Sequence, residues 1–120
     1  MQVNFDSIKP IYVQIAEAIE DDIIAESLKE GEECYSQLII ARELNVNPAT
    51  AAKGINLLVS EGILHKQRGL AMTVAEGARE RILRKRKSEG FEVMVKELIF
   101  EANKLGITKD HIFEIINKYF

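Results

Sequence analysis

Residues 45–54 read Asn-Val-Asn-Pro-Ala-Thr-Ala-Ala-Lys-Gly. Asn47 suits the N-cap of a helix, and Pro48 suits its first position, so a helix is predicted from here to about Ser60, with Gly62 stopping it. Its inward stripe is Ala51, Ile55, Leu58 and Val59, which leaves Asn47, Ala49, Thr50, Lys53 and Asn56 outward. The first two turns therefore carry an amide, a hydroxyl and an ammonium but nothing bulky. Such a helix start can come close to a partner and offer it backbone N–H groups and side-chain donors together. That donor set suits phosphates and the base edges of the major groove of double-stranded DNA. The alternative is that small residues merely let two helices pack tightly, and Ala51 and Gly54, on the inner side, fit it.

Other chemistry finds no support. There is no Gly-rich phosphate loop, nucleophile–base pair or carboxylate dyad, so the chain is not read as an enzyme and no cofactor is expected. His65 and His111 have no Cys or carboxylate at metal-ligand spacing beside them, so no metal site is assigned. The single cysteine, Cys34, has no internal disulfide partner and reads as a small half-buried residue rather than a redox sensor.

The 120 residues carry 47% hydrophobic and 29% charged residues, the proportions of an ordinary globular domain. No apolar run is long enough for a membrane helix, and the N-terminus lacks the pattern of a signal peptide, so no membrane partner and a cytoplasmic location are expected. The net charge of −3 conceals an uneven distribution. Residues 1–77 hold 6 Lys/Arg against 12 Asp/Glu, and residues 78–120 hold 10 against 7. Between Cys34 and Ala75, Arg42, Lys53, Lys66 and Arg68 oppose only Glu43 and Glu61. An acidic protein can thus still present one basic surface. The run "ARERILRKRK" at 78–87 adds six basic residues and one acid. It reads as a solvated helix surface, with contact to flanking phosphates as the alternative.

Five further elements, with the hairpin counted as one, frame the small-residue helix. Ile11, Ile15, Ile19 and Ile23, with Tyr12 and Ala16, mark a helix beginning near Pro10 as its first position; Gly31 closes the segment, and Glu20, Asp21 and Asp22 read as a solvated face. A short helix over "SQLIIAREL" has Ser36 as N-cap and Leu38, Ala41 and Leu44 inward, with Asn45 turning the chain in a left-handed conformation. The strands "ILHKQ" and "LAMTV", joined at Arg68-Gly69, make a small hairpin. A long helix is then predicted over Ala78–Leu105, with Gly90 marking a bend or break. Gly106 ends it, and Thr108 caps a last helix lined by Ile112, Ile115, Ile116 and Tyr119. This order is that of a winged helix-turn-helix: a mainly α fold in which a DNA-binding domain over 1–76 precedes a two-helix dimerisation hairpin over 77–120.

"PIYVQIAEAI", "LNVNPATAAKGINLLVSEGIL" and "QRGLAMTV", in that order, resemble the N-terminal domain of the GntR family of bacterial transcription regulators. Asn47-Pro48-Ala49-Thr50 and the short helical C-terminal segment are similar to the YtrA subfamily. The resemblance implies a homodimeric repressor on a two-fold-symmetric operator, with control of a neighbouring transporter operon and its own gene. It implies DNA contacts at Ser36, Asn47, Ala49, Thr50 and Lys53, with Arg68 and Gly69 at the wing tip, where a basic side chain fits a narrow minor groove. The chain departs from the family at Tyr35-Ser36-Gln37-Leu38, where Pro-Ser-x-Arg is usual. Ala49 also replaces a frequent Asn, and Leu70 and Ala71 differ in the wing. A winged-helix module for protein contact, with specific DNA binding lost, is the alternative.

The seam Phe91, Met94, Val95, Leu98, Ala102 and Leu105 alternates spacings of three and four. With Ile112 and Ile116 it forms a face that one hairpin cannot bury, so pairing with a second copy is expected. So short a segment leaves little volume for a ligand pocket, and no effector domain is expected. The sequence does not identify any small-molecule effector.

Overall fold

Isoleucine at every fourth position builds α1 (Ile11–Ile24) and buries Ile15, Ile19 and Ile23 with Ala16. The computed structural model containing it describes residues 1–66 and 71–120. Pro10 stands one place earlier than predicted, as the N-cap, because its ψ of 146° is extended. Its carbonyl accepts from Val13 and Gln14 at 3.1 Å each. The helix ends at Ile24, well before Gly31. Glu20 corrects the reading of a solvated acidic face, since only 5% of it is exposed. The reason is geometric: 16, 19, 20 and 23 form the i, i+3, i+4, i+7 set that faces inward.

α2 (Gln37–Leu44) starts at Ser36, whose Oγ accepts from the Ile39 N–H at 3.2 Å. It ends at Asn45, which holds φ 53° and ψ 49°, and the Val46 N–H returns to the Ala41 carbonyl. Its buried residues are Ile40 and Ala41; Leu44 is half-buried and Leu38 is 64% exposed. Leu38 thus faces out, contrary to the stripe read from the sequence, and Ile40 takes the inward place. α3 (Pro48–Ser60) is capped by Asn47, whose Oδ1 accepts from the Ala49 N–H at 2.8 Å. Ala51, Gly54, Ile55 and Leu58 are buried and Val59 is half-buried. A β-carbon at Gly54 would lie 2.9 Å from both the Tyr12 carbonyl oxygen and Ile15 Cγ2, so this glycine lets α3 close onto α1.

β1 (Leu64–His65) and β2 (Thr73–Val74) pair antiparallel, with Leu64 opposite Val74. Residues 31–34 run along the other edge of β2, where Gly31 donates to the Val74 carbonyl and Cys34 to that of Met72, both at 2.8 Å. The predicted hairpin junction, Arg68-Gly69 with Leu70, lies outside the described residues. The core joins Ile15, Ile19 and Ile23 to Ile40, Ala51, Leu58, Leu64, Val74 and Ile82.

The chain divides into units Met1–Leu83 and Arg84–Phe120. The predicted helix 78–105 is helical throughout but not α-helical throughout. It comprises α4 (Ala78–Lys85), a π-helical turn at Arg86–Phe91 and α5 (Glu92–Leu105). Ser88 Oγ donates to the Arg84 carbonyl at 3.0 Å, competing for an acceptor that an i→i−4 backbone bond uses, and Gly90 adds its low helix propensity. Gly106 (φ 69°) turns the chain into α6 (Lys109–Tyr119), whose cap Thr108 accepts from the His111 N–H at 3.2 Å. Among the described residues, no helix is long and apolar enough to cross a membrane.

Candidate nucleic-acid interface

The start of α3 presents what the sequence placed there: Asn47, Ala49, Lys53 and Asn56 are exposed and Thr50 is half-buried. Capping uses the Asn47 carbonyl oxygen and leaves its amide NH₂ outside the helix's own bonding. The first turns of α2 and α3 contain no acidic residue, so neither positive helix end is neutralised from within its own first turn. Lys53 does not extend freely: its Nζ sits 4.2 Å from the centroid of the Tyr12 ring. Arg68 and Gly69 lie outside the described residues.

Ser36 is exposed, and its hydroxyl keeps a hydrogen to donate after accepting the cap bond. A cleft of about 350 Å³ brings Ser36 and Gln37 together with Asn56 of α3 and Lys66 after β1. Gln37 carries no role in the sequence reading, because no periodicity marks a polar residue beside a cap. Cys34 and Tyr35 form the cleft's inner wall. Burial pushes the Cys34 thiol up to about 11. Burial, reinforced by the hydrogen bond to Asp22, raises the Tyr35 phenol to about 12. That bond, from Tyr35 Oη to Asp22 Oδ2 at 2.6 Å, ties the approach to α2 onto α1. Leu38, next to Gln37 on the first turn of α2, is exposed.

No family model matches the chain. The uncharacterized HTH-type transcriptional regulator YhcF of Bacillus subtilis (strain 168) is 31% identical over 119 residues, covering 99% of this chain and 97% of that protein. The HTH-type transcriptional repressor YtrA of the same organism is 28% identical over 98% of this chain and 90% of its own length. The solved structure of YtrA from Sulfolobus acidocaldarius, a GntR-family transcription factor, superposes with a TM-score of 0.60 at 30% identity, covering 99% of this chain and 95% of that one. The chain is a YtrA-like member of the GntR family. AraR(DBD), solved in complex with operator ORE1, matches 61% of this chain and 89% of its own at 25% identity, with a TM-score of 0.54. This GntR protein is therefore a winged-helix, DNA-binding transcriptional regulator and not an enzyme.

In this regulator the first two arginines of the basic run at 78–87 are engaged within the fold. Arg79 donates from Nε to the Ile24 carbonyl at 2.9 Å, and Glu26 lies 3.9 Å from the same nitrogen. Arg81 donates from Nη1 to the Gly62 carbonyl at 2.7 Å. Glu30 accepts from the backbone N–H groups of Gly77, at 2.6 Å, and Arg79, capping the start of α4. These bonds span 19 to 55 residues, so a local reading of charge could not find them.

The GntR chain's second unit leaves most of its predicted seam uncovered. Phe91, Met94, Val95, Leu98, Leu105 and Ile116 are exposed, Ile112 is half-buried, and Ala102 is buried within the hairpin itself. Between α5 and α6 opens an apolar groove of about 530 Å³, walled by Met94, Leu98, Leu105, Ile112, Ile115 and Ile116. Among the described residues, no group of three or more His, Cys, Asp or Glu is placed to hold a metal ion.

Proposed function

We propose that this regulator is a homodimeric repressor that sets α3 into the major groove of each half of a two-fold-symmetric operator. The carrying observation is the bare, exposed start of α3, which allows close approach while offering Asn47, Thr50 and Lys53 as donors. In this reading Asn47 and Thr50 address base edges and Lys53 a phosphate. Ala49 passes close to the groove floor, and Ser36 at the start of α2 fixes a flanking phosphate. Arg68, with Gly69 allowing close approach, enters the minor groove from the wing tip.

The uncovered seam supports dimerisation. Leu98 is 49% exposed on a face of apolar neighbours, and a second copy of the same hairpin would cover it. Two reading heads joined in this way match an inverted repeat. Occupying such a site across a promoter excludes polymerase, in keeping with the name of the repressor YtrA. The family resemblance extends the reading to a transporter operon and the regulator's own gene.

Substitutions on the two surfaces separate the parts of this proposal. Lys53→Ala, alone or with Arg68→Ala, is expected to weaken DNA binding in fluorescence anisotropy while sedimentation still shows a dimer. Leu98→Asp is expected to give monomers that retain the helical circular dichroism. Unchanged DNA affinity in the first, or a persistent dimer in the second, would remove the corresponding surface from the account.

A further inference from the structure

Lys53 is the one exposed cation within the first two turns of α3, yet a lysine side chain carries four rotatable bonds and loses much of that freedom when it is fixed on a partner. In this fold part of that ordering precedes any partner. The ammonium rests 4.2 Å from the centroid of the Tyr12 ring, within the range of an attractive cation–π contact. Tyr12 lies in the first turn of α1 and is half-buried.

Gly54, the residue after Lys53, explains why the ring is there. A β-carbon at 54 would stand 2.9 Å from the backbone oxygen of Tyr12, so only a glycine admits this closeness without displacing one helix. The absence of that single carbon thus brings the start of α1 against α3 and places an aromatic face under the lysine. Of the ammonium's three N–H donors, the ring engages one side, which leaves donors directed outward for an acceptor.

We propose that Tyr12 is a positioning residue for DNA binding: its ring holds the Lys53 ammonium in place on α3 before the duplex arrives. This rests on the reading of Lys53 as a DNA contact. The phenol hydroxyl is not required, because the attraction comes from the ring face. Positioning changes the affinity at a given salt but not the number of phosphates neutralised. Loss of the ring therefore differs from loss of the charge.

The test is a double-mutant cycle on an operator duplex obtained by selection, read by anisotropy over a range of salt. Lys53→Met is expected to weaken binding and to flatten the slope of log affinity against log salt by about one unit per protomer. Tyr12→Leu is expected to weaken binding about three-fold per half-site, the scale of an exposed cation–π contact, with the salt slope kept. Tyr12→Phe is expected to restore the affinity. In the Lys53→Met background, Tyr12→Leu should make no further difference, which separates positioning from a general effect on folding. Three results would overturn the proposal while leaving Lys53 as a contact. They are an unchanged or raised affinity for Tyr12→Leu, failure of Tyr12→Phe to rescue, and an equal loss for Tyr12→Leu in both backgrounds. No effect of Lys53→Met would overturn the contact and the positioning together.

Discussion

Arg81 holds the carbonyl of Gly62 at 2.7 Å, so the start of α4 fastens the turn by which the chain leaves α3. Gly62 adopts φ +74°, and a β-carbon there would come within 2.7 Å of the same guanidinium nitrogen. The glycine is needed twice, for its backbone conformation and for the space the arginine occupies.

Gly62→Ala is accordingly expected to lower stability by about 1–2 kcal/mol from the left-handed conformation alone. Arg81→Ala, which removes a charged donor at a partly exposed site, should cost about 1 kcal/mol. Because the alanine side chain no longer crowds position 62, the double variant should lose less than the sum of the two. Urea unfolding followed by circular dichroism gives all three values, and strict additivity would show that the steric part is absent.

Tyr35 and Asp22 make a second link, between α1 and the segment that enters α2. Tyr35→Phe is expected to cost about 1–2 kcal/mol, since the acceptor is a carboxylate and the site is half-buried. The folded phenol is raised from 10.0 to about 12, so the folded state holds its proton more tightly than the unfolded chain does. The sign follows: this contribution is complete below pH 10 and is lost as the pH rises through about 12. Ultraviolet titration should show one phenol step near pH 12 that disappears in Tyr35→Phe.

Cys34 is buried with its thiol near 11, so at neutral pH almost none of it is thiolate. Alkylation of the folded protein by iodoacetamide at pH 7.5 is expected to be at least about 100-fold slower than in denaturant. Rapid labelling of the native state would contradict this and restore the cysteine as a candidate sensor.

Much of this fold is local enough to read from the chain. Ser36, Asn47 and Thr108 each cap the helix assigned to them, and Asn45 takes the left-handed turn, because a cap or turn involves residues only two or three apart. The limits appear where geometry is not local. Leu38, Ile39 and Ile40 are three consecutive apolar residues on an eight-residue helix, and periodicity cannot decide which faces in. Glu20 is buried because it falls on the inward stripe, which its charge disguised. The π-helical turn depends on how Ser88 shares a carbonyl, and the anchors made by Arg79 and Arg81 depend on residues remote in sequence. At the candidate interface, the small start of α3 was legible as exposed on one side and packed on the other. The ring beneath Lys53 was not, since it belongs to another helix.

Leu38 offers a gain-of-binding prediction. It is exposed on the first turn of α2 where the family usually carries an arginine, and Ile39 beside it is also exposed. Leu38→Arg is expected to raise operator affinity and to steepen the salt slope by about one unit per protomer, with stability nearly unchanged. A variant with the same affinity and slope would mean that this position does not face the duplex.

In the proposed assembly two copies of the bare α3 read two symmetric half-sites. Selection from a random duplex pool at near-physiological salt, followed by anisotropy on the enriched sequence, tests it most directly. The expected result is an inverted repeat with half-sites about one helical turn apart, bound by two protomers per duplex. Weak binding indifferent to sequence, or enrichment of a single unpaired half-site bound by one protomer, would contradict it.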